Sequence, residues 1–139
     1  MVLVGGLTEI GFVAETSLLL VVGHQGRGLI DCGAGDRAAH DRSEDFAEWS
    51  DASHRRVLGI GSADGEWIEV FGLWGGEGVS QTSDGWRSTV DGEDVVLARG
   101  DARQVISPGP EELRAFGFSP GGDYFVLASP GDVTIFHRG

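Results

Sequence analysis

Apolar residues along the chain fall in short blocks of four to six, each bounded by turn-forming residues: Leu18-Leu-Leu-Val-Val22, Trp67-Ile-Glu-Val-Phe71, Val95-Val-Leu-Ala98, Tyr124-Phe-Val-Leu-Ala128 and Val133-Thr-Ile-Phe136. Blocks of that length are strands. Between them stand Asp64-Gly65, Asp84-Gly85, Asp91-Gly92 and Gly121-Gly122, pairs that supply the positive φ of tight hairpin turns. The pattern predicts an all-β chain of about 10 to 13 short antiparallel strands. Two stretches depart from it. Arg37 to Ser53, which holds Ser43-Glu-Asp-Phe-Ala-Glu-Trp49, reads either as a short helix opening near Ser43 or as a solvated loop. Pro110-Glu-Glu-Leu-Arg114 reads either as one helical turn or as a bend into the next strand.

The pattern also repeats. Ile10-Gly-Phe-Val-Ala-Glu-Thr-Ser-Leu-Leu-Leu-Val-Val-Gly23 matches Phe116-Gly-Phe-Ser-Pro-Gly-Gly-Asp-Tyr-Phe-Val-Leu-Ala-Ser129 in character throughout, at a constant offset of 106 positions. Fainter copies, Ala63 to Phe71 and Val90 to Ala98, share Asp-Gly-Glu ahead of an apolar run at an offset of 27. Repeats of roughly 20 to 50 residues mark propellers and solenoids, and the unequal spacing here implies decayed or truncated units.

The segment Arg114-Ala-Phe-Gly-Phe-Ser-Pro-Gly-Gly-Asp-Tyr-Phe-Val-Leu-Ala-Ser-Pro-Gly-Asp-Val-Thr-Ile-Phe136 resembles the central part of a WD40-like β-propeller blade, in which a Phe-Ser-Pro-Asp-Gly turn joins a short strand to an apolar one. Residues 10–31 resemble the same unit, with Ala14-Glu-Thr-Ser17 in place of that turn, and 114–137 form the second blade-like segment. A closed propeller takes at least four blades of roughly 40 residues each, more than 139 residues supply. The resemblance therefore implies blade-like units in a truncated propeller, an open stack or a sandwich, or two chains completing one ring.

Composition narrows the function. Glycine supplies 24 of 139 residues without a three-residue period, which excludes collagen and favours turn-rich β structure. Ten basic against 22 acidic side chains leave a net charge of −12, so nucleic acid and anionic membranes are not expected partners. The longest apolar run, Leu18 to Val22, is too short to span a bilayer, and no leader with a basic start is apparent. Cys32 stands alone, which suits a cytoplasmic protein without disulfides and a buried, inert thiol. Every basic residue is Arg, and Lys and Asn are absent, as expected of a GC-rich bacterial genome. One domain over residues 1–139 is expected.

Catalytic and cofactor chemistry finds little support. Glycines at 23, 26 and 28 lead straight into Leu29-Ile30-Asp31, another strand, so they read as a hairpin turn and not as a dinucleotide fingerprint. A P-loop needs a lysine. The acidic turns Asp91-Gly-Glu-Asp94 and Asp41-Arg-Ser-Glu-Asp45 lack the ligand spacing of a calcium loop, and His24, His40, His54 and His137 are too scattered for zinc. No Gly-x-Ser-x-Gly elbow is present. The expectation is a protein that is not an enzyme and carries no cofactor or metal.

What remains is surface. Three of the four Trp fall between 67 and 86, and Trp67, Phe71, Trp74 and Trp86 lie beside glycines as either core filling or recognition residues. Asp41, Glu44, Asp45, Glu48 and Asp51, with Asp64, Glu66 and Glu69, form an acidic surface. Such a surface steers basic partners. The sequence is thus read as a non-catalytic protein-binding module for a basic protein, in concrete form an immunity or inhibitor protein against a basic toxin or nuclease. Two other readings stand beside it: a homo-oligomeric structural protein completing a propeller-like ring through the terminal strand Val133 to Phe136, and a small-ligand or sugar-binding domain stacking on Trp67, Trp74 and Trp86.

Overall fold

The computed structural model describes residues 2–4, 6–107 and 113–137. After β1 (Val2–Leu3) comes a meander of β2 (Leu7–Phe12), β3 (Leu18–Gly23), β4 (Gly26–Asp31) and β5 (Asp36–Asp41). A helical turn, α1 (Phe46–Trp49), leads into β6 (Ser50–Asp51), β7 (Arg56–Leu58) and β8 (Trp67–Glu69), and β9 (Phe71–Gly72) returns to pair with β2. The third meander is β10 (Arg87–Asp91), β11 (Asp94–Arg99) and β12 (Ala102–Ile106); the fourth is β13 (Ala115–Phe118), β14 (Tyr124–Ala128) and β15 (Asp132–His137). The described strands form four antiparallel sheets, ordered β5-β4-β3-β2-β9, β6-β7-β8, β10-β11-β12 and β1-β15-β14-β13. The fold is all-β, built of short strands in blade-like units.

All five apolar blocks are strands. The block at 67–71 breaks at buried Val70, whose N–H goes to Arg55 O at 2.8 Å, so β8 and β9 join different sheets. Gly65, Gly85, Gly92 and Gly122 take φ of 85°, 100°, 64° and 78°, the left-handed values that the Asp-Gly and Gly-Gly turns call for. The glycines at 23 and 26 bound a two-residue hairpin turn, and a Cβ on Gly26 would fall 2.1 Å from Asp41 O.

The sequence repeat is a repeat of register. Ile10, Gly11 and Phe12 face Val21, Leu20 and Leu19, and at the same offset Phe116, Gly117 and Phe118 face Leu127, Val126 and Phe125. The third strands match too: Leu19 pairs with Ile30 as Phe125 pairs with Phe136, and Val22 with Arg27 as Ala128 with Val133.

Three core clusters hold the sheets in a stack. Leu20, Val22 and Leu29 pack with Val57, Ile60 and Ile68 of the β6–β8 unit. On the other face of the same sheet, Leu19, Val21 and Ile30 pack with Val126, Ala128 and Val133. The opposite face of that second sheet gives Phe118, Phe125 and Leu127 to Val95 and Leu97 of β11. The two inner sheets are therefore covered on both faces, which is why β3 and β14 read as continuous apolar runs. Corresponding faces also point the same way: Leu20 and Val126 occupy equivalent positions, and each faces the preceding sheet of the stack. Each fully buried Leu or Ile contributes about 1.5–3 kcal/mol. No core cluster among the described residues joins the β6–β8 sheet to the β10–β12 sheet.

Several expectations change. The described residues hold fifteen strands, more than expected, because β1, β6 and β9 are two-residue pairings too short to leave an apolar pattern. Residues 36–41 form an edge strand whose Asp-Arg-Ala-Ala-His-Asp sequence buries little beyond Ala39, and the helix beyond it is a single turn starting at Phe46, not at Ser43. β15 pairs with β14 along Val133 to His137, and on its other side β1 covers it only at Asp132 and Val133. The alternative at Pro110 to Arg114 lies mostly outside the described residues. Among the described residues no helix is long and apolar enough to cross a membrane.

Candidate functional site

The acidic stretch is built around Arg27. It faces Asp41 across β4 and β5, and its side chain, 8% exposed, donates to Asp41 Oδ2 at 2.6 Å and to Leu58 O of the neighbouring sheet at 2.7 Å. Its guanidinium carbon lies 4.6 Å from the centre of the Trp49 ring. Asp41 in turn accepts the Ser43 N–H at 2.9 Å. That backbone donor and the Arg27 guanidinium hold its carboxyl below the ordinary range.

At the far end, Asp51 accepts Ser53 Oγ at 2.9 Å and contacts His54 Nδ1 at 2.8 Å and Arg56 Nε at 3.3 Å. Those donors pull it down to about 2. Both terminal acids of the stretch are thus engaged within the fold. Between them Glu44, Asp45 and Glu48 are exposed and form no ion pair among the described residues. Phe46, 37% exposed, leans on Trp49 with ring centres 4.7 Å apart, and the Ser50 hydroxyl donates to Phe46 O. The result is an anchored turn presenting three carboxylates around an aromatic edge.

The aromatic residues do not gather into one patch. Trp67 is exposed on the β6–β8 sheet, with Arg56 5.1 Å from its ring centre. Trp74 packs half-buried against the core shared by that sheet and the β2–β5 meander. Trp86 does the same at the other end of the stack, beside Arg99 at 5.5 Å. Phe71 is half-buried and lines a cleft of about 480 Å³ bordered also by the 76–78 glycine segment, Ser80, Ser88, Arg114 and Phe116.

Two charged residues near this cleft were not singled out from the sequence. Glu9, inside β2, is fully buried; its Oε1 accepts the Trp74 N–H at 3.0 Å, while Oε2 has no partner. Burial pushes its carboxyl up to about 7, against the pull of the Trp74 and Leu73 amides and of Arg114. Arg114 is half-buried and its Nε–H has no acceptor. A single charged residue within β2 is the signal that could have found Glu9; Arg114 has none.

The buried Cys32 thiol is pushed up to about 11 by burial, with Asp31 adding to it. No group of three or more His, Cys, Asp or Glu among the described residues is placed to hold a metal. Comparisons with protein-family models, curated proteins and solved structures find no match to this chain.

Proposed function

We propose that the chain is a protein-binding module that engages a basic partner through the turn Glu44 to Glu48, in the manner of an immunity or inhibitor protein against a cationic toxin or nuclease. The observation that carries this reading is the division of the acidic stretch: Asp41 and Asp51 anchor it, and Glu44, Asp45 and Glu48 stand exposed beside Phe46 with no ion pair among the described residues. Carboxylates carried on an anchored turn need less backbone ordering when they pair with Lys or Arg, and an aromatic among them supplies an apolar anchor. A net charge of −12 adds long-range steering. The matched registers of the two hairpins fit a repeated blade-like unit, and the reading of that unit as WD40-like rests on the sequence resemblance of residues 10–31 and 114–137.

The test is binding to a panel of cationic bacterial toxins and nucleases at about 0.05 and 0.5 M salt, conditions that change the screening length severalfold. Association should weaken with salt and with the combined E44K, D45K and E48K substitutions. A panel with no binder, or a binder indifferent to both salt and charge reversal, sinks the reading.

A further inference from the structure

The cleft lined by Phe71, Phe116 and Arg114 is independent of the acidic turn. Three observations single it out. Its volume, about 480 Å³, suits a small ligand. Its walls are apolar where Phe71, Leu113 and Phe116 meet, while Ser88 supplies a buried hydroxyl. Among the described lining residues Arg114 is the one cation, its Nε–H has no acceptor, and no ion pair among the described residues joins it to Glu9, the carboxylate that acts on it through charge.

Arg114 is half-buried with its Nε closed to solvent, and the paired Nη groups of an arginine match the two oxygens of a carboxylate. We propose that this cleft binds a small monocarboxylate with an aromatic or branched apolar body, the carboxylate on Arg114 and the body between Phe71 and Phe116. The surroundings strengthen the demand for an anion at that spot. Glu9, pushed up to about 7, is only partly ionised near neutrality and leaves much of the Arg114 charge unbalanced. Glu77 sits at the exposed rim, where water screens it.

The experiment compares phenylacetate with phenylacetamide, the same body without the charge, by following backbone amide shifts of the wild-type chain. The acid should bind saturably, moving Gly76, Gly78 and Ala115, and should be preferred over the amide by on the order of tenfold or more, as expected for a charge-assisted pair. R114Q should abolish that preference, whereas R87Q, at an exposed position of β10 that does not line the cleft, should keep it. S80Y, at the cleft's exposed rim, should weaken both ligands by filling the space. Equal binding of acid and amide, an unchanged preference in R114Q, or no saturable shift with phenylacetate, benzoate or phenylpropionate overturns the proposal. The wild-type comparison needs no variant to fold.

Discussion

Arg27 lies over the face of Trp49, 4.6 Å from the ring centre, and the same guanidinium reaches Asp41 on β5 and Leu58 O on β7. One side chain thereby ties two sheets and the helical turn together. Arg27→Met keeps much of the volume but leaves Leu58 O and the Trp49 face without their cation. Loss of a buried, hydrogen-bonded charge of this kind costs about 2–4 kcal/mol. Asp41→Asn should cost less, because Asp41 is 40% exposed and water replaces part of what it loses. Urea denaturation checks the order, and hydrogen exchange at Phe46 to Trp49 should accelerate in Arg27→Met. An unchanged denaturation midpoint in that variant would contradict the bridging role.

Glu9 gives stability a slope against pH. Its carboxyl titrates ordinarily at 4.5 and at about 7 in the folded chain. Between those values the folded state holds a proton that the unfolded chain has released. Its contribution is thus full below 4.5 and is lost as pH rises through 7, a change on the order of 3 kcal/mol. Glu9→Gln removes the ionisation and keeps an acceptor for the Trp74 N–H, so its stability should stay flat across that window. Asp51 acts oppositely at the acid end: lowered from 3.8 to about 2, it stabilises above 3.8 and loses that contribution as pH falls toward 2. Urea midpoints measured from about pH 4 to pH 8 decide the assignment, and a slope surviving in Glu9→Gln assigns it to another group.

The repeat was legible because both hairpins bury both faces of their central strand, so Leu18 to Val22 and Tyr124 to Ala128 had to be continuously apolar. β5 was not, since an edge strand covered on one side by Ala39 alone needs no apolar alternation. The acidic residues were legible as a group, but their division was not. Asp41 is anchored by Arg27, 14 positions before it, through the hairpin that sets the two opposite each other, while Asp51 is anchored by Ser53, His54 and Arg56 close after it. Arg114 stayed hidden for a similar reason: its lack of a partner is a property of packing, not of its neighbours in sequence.

Gly11 and Gly117 occupy the same register position in the two hairpins, and each lies against another stretch of backbone. A Cβ on Gly11 would fall 2.2 Å from Glu69 O and 3.0 Å from Val70 Cγ1, whereas one on Gly117 would meet Gly78 Cα at 3.2 Å and Val79 N at 3.3 Å. Backbone cannot swing aside as a side-chain tip can. Gly11→Ala should therefore destabilise by about 2–3 kcal/mol, the range for overpacking a tight site, and Gly117→Ala by clearly less. Thermal melts of the two variants test this, and equal losses would show that the closer contact at Gly11 does not govern the cost.

Cys32 follows β4 within the core cluster shared by the two matching sheets, 4% exposed. With its thiol pushed up to about 11, only about one molecule in a thousand carries the thiolate at pH 8. Labelling by a thiol reagent such as 5,5′-dithiobis(2-nitrobenzoate) should be negligible in the folded chain and rapid in urea. Its rate should track the open population, its logarithm rising in Arg27→Met and Gly11→Ala in proportion to their lost stability. Fast labelling of the wild-type chain, independent of reagent size, would mean that Cys32 reaches solvent by a local opening, and the two sheets would not be packed as tightly as Ile30, Val126 and Val133 imply.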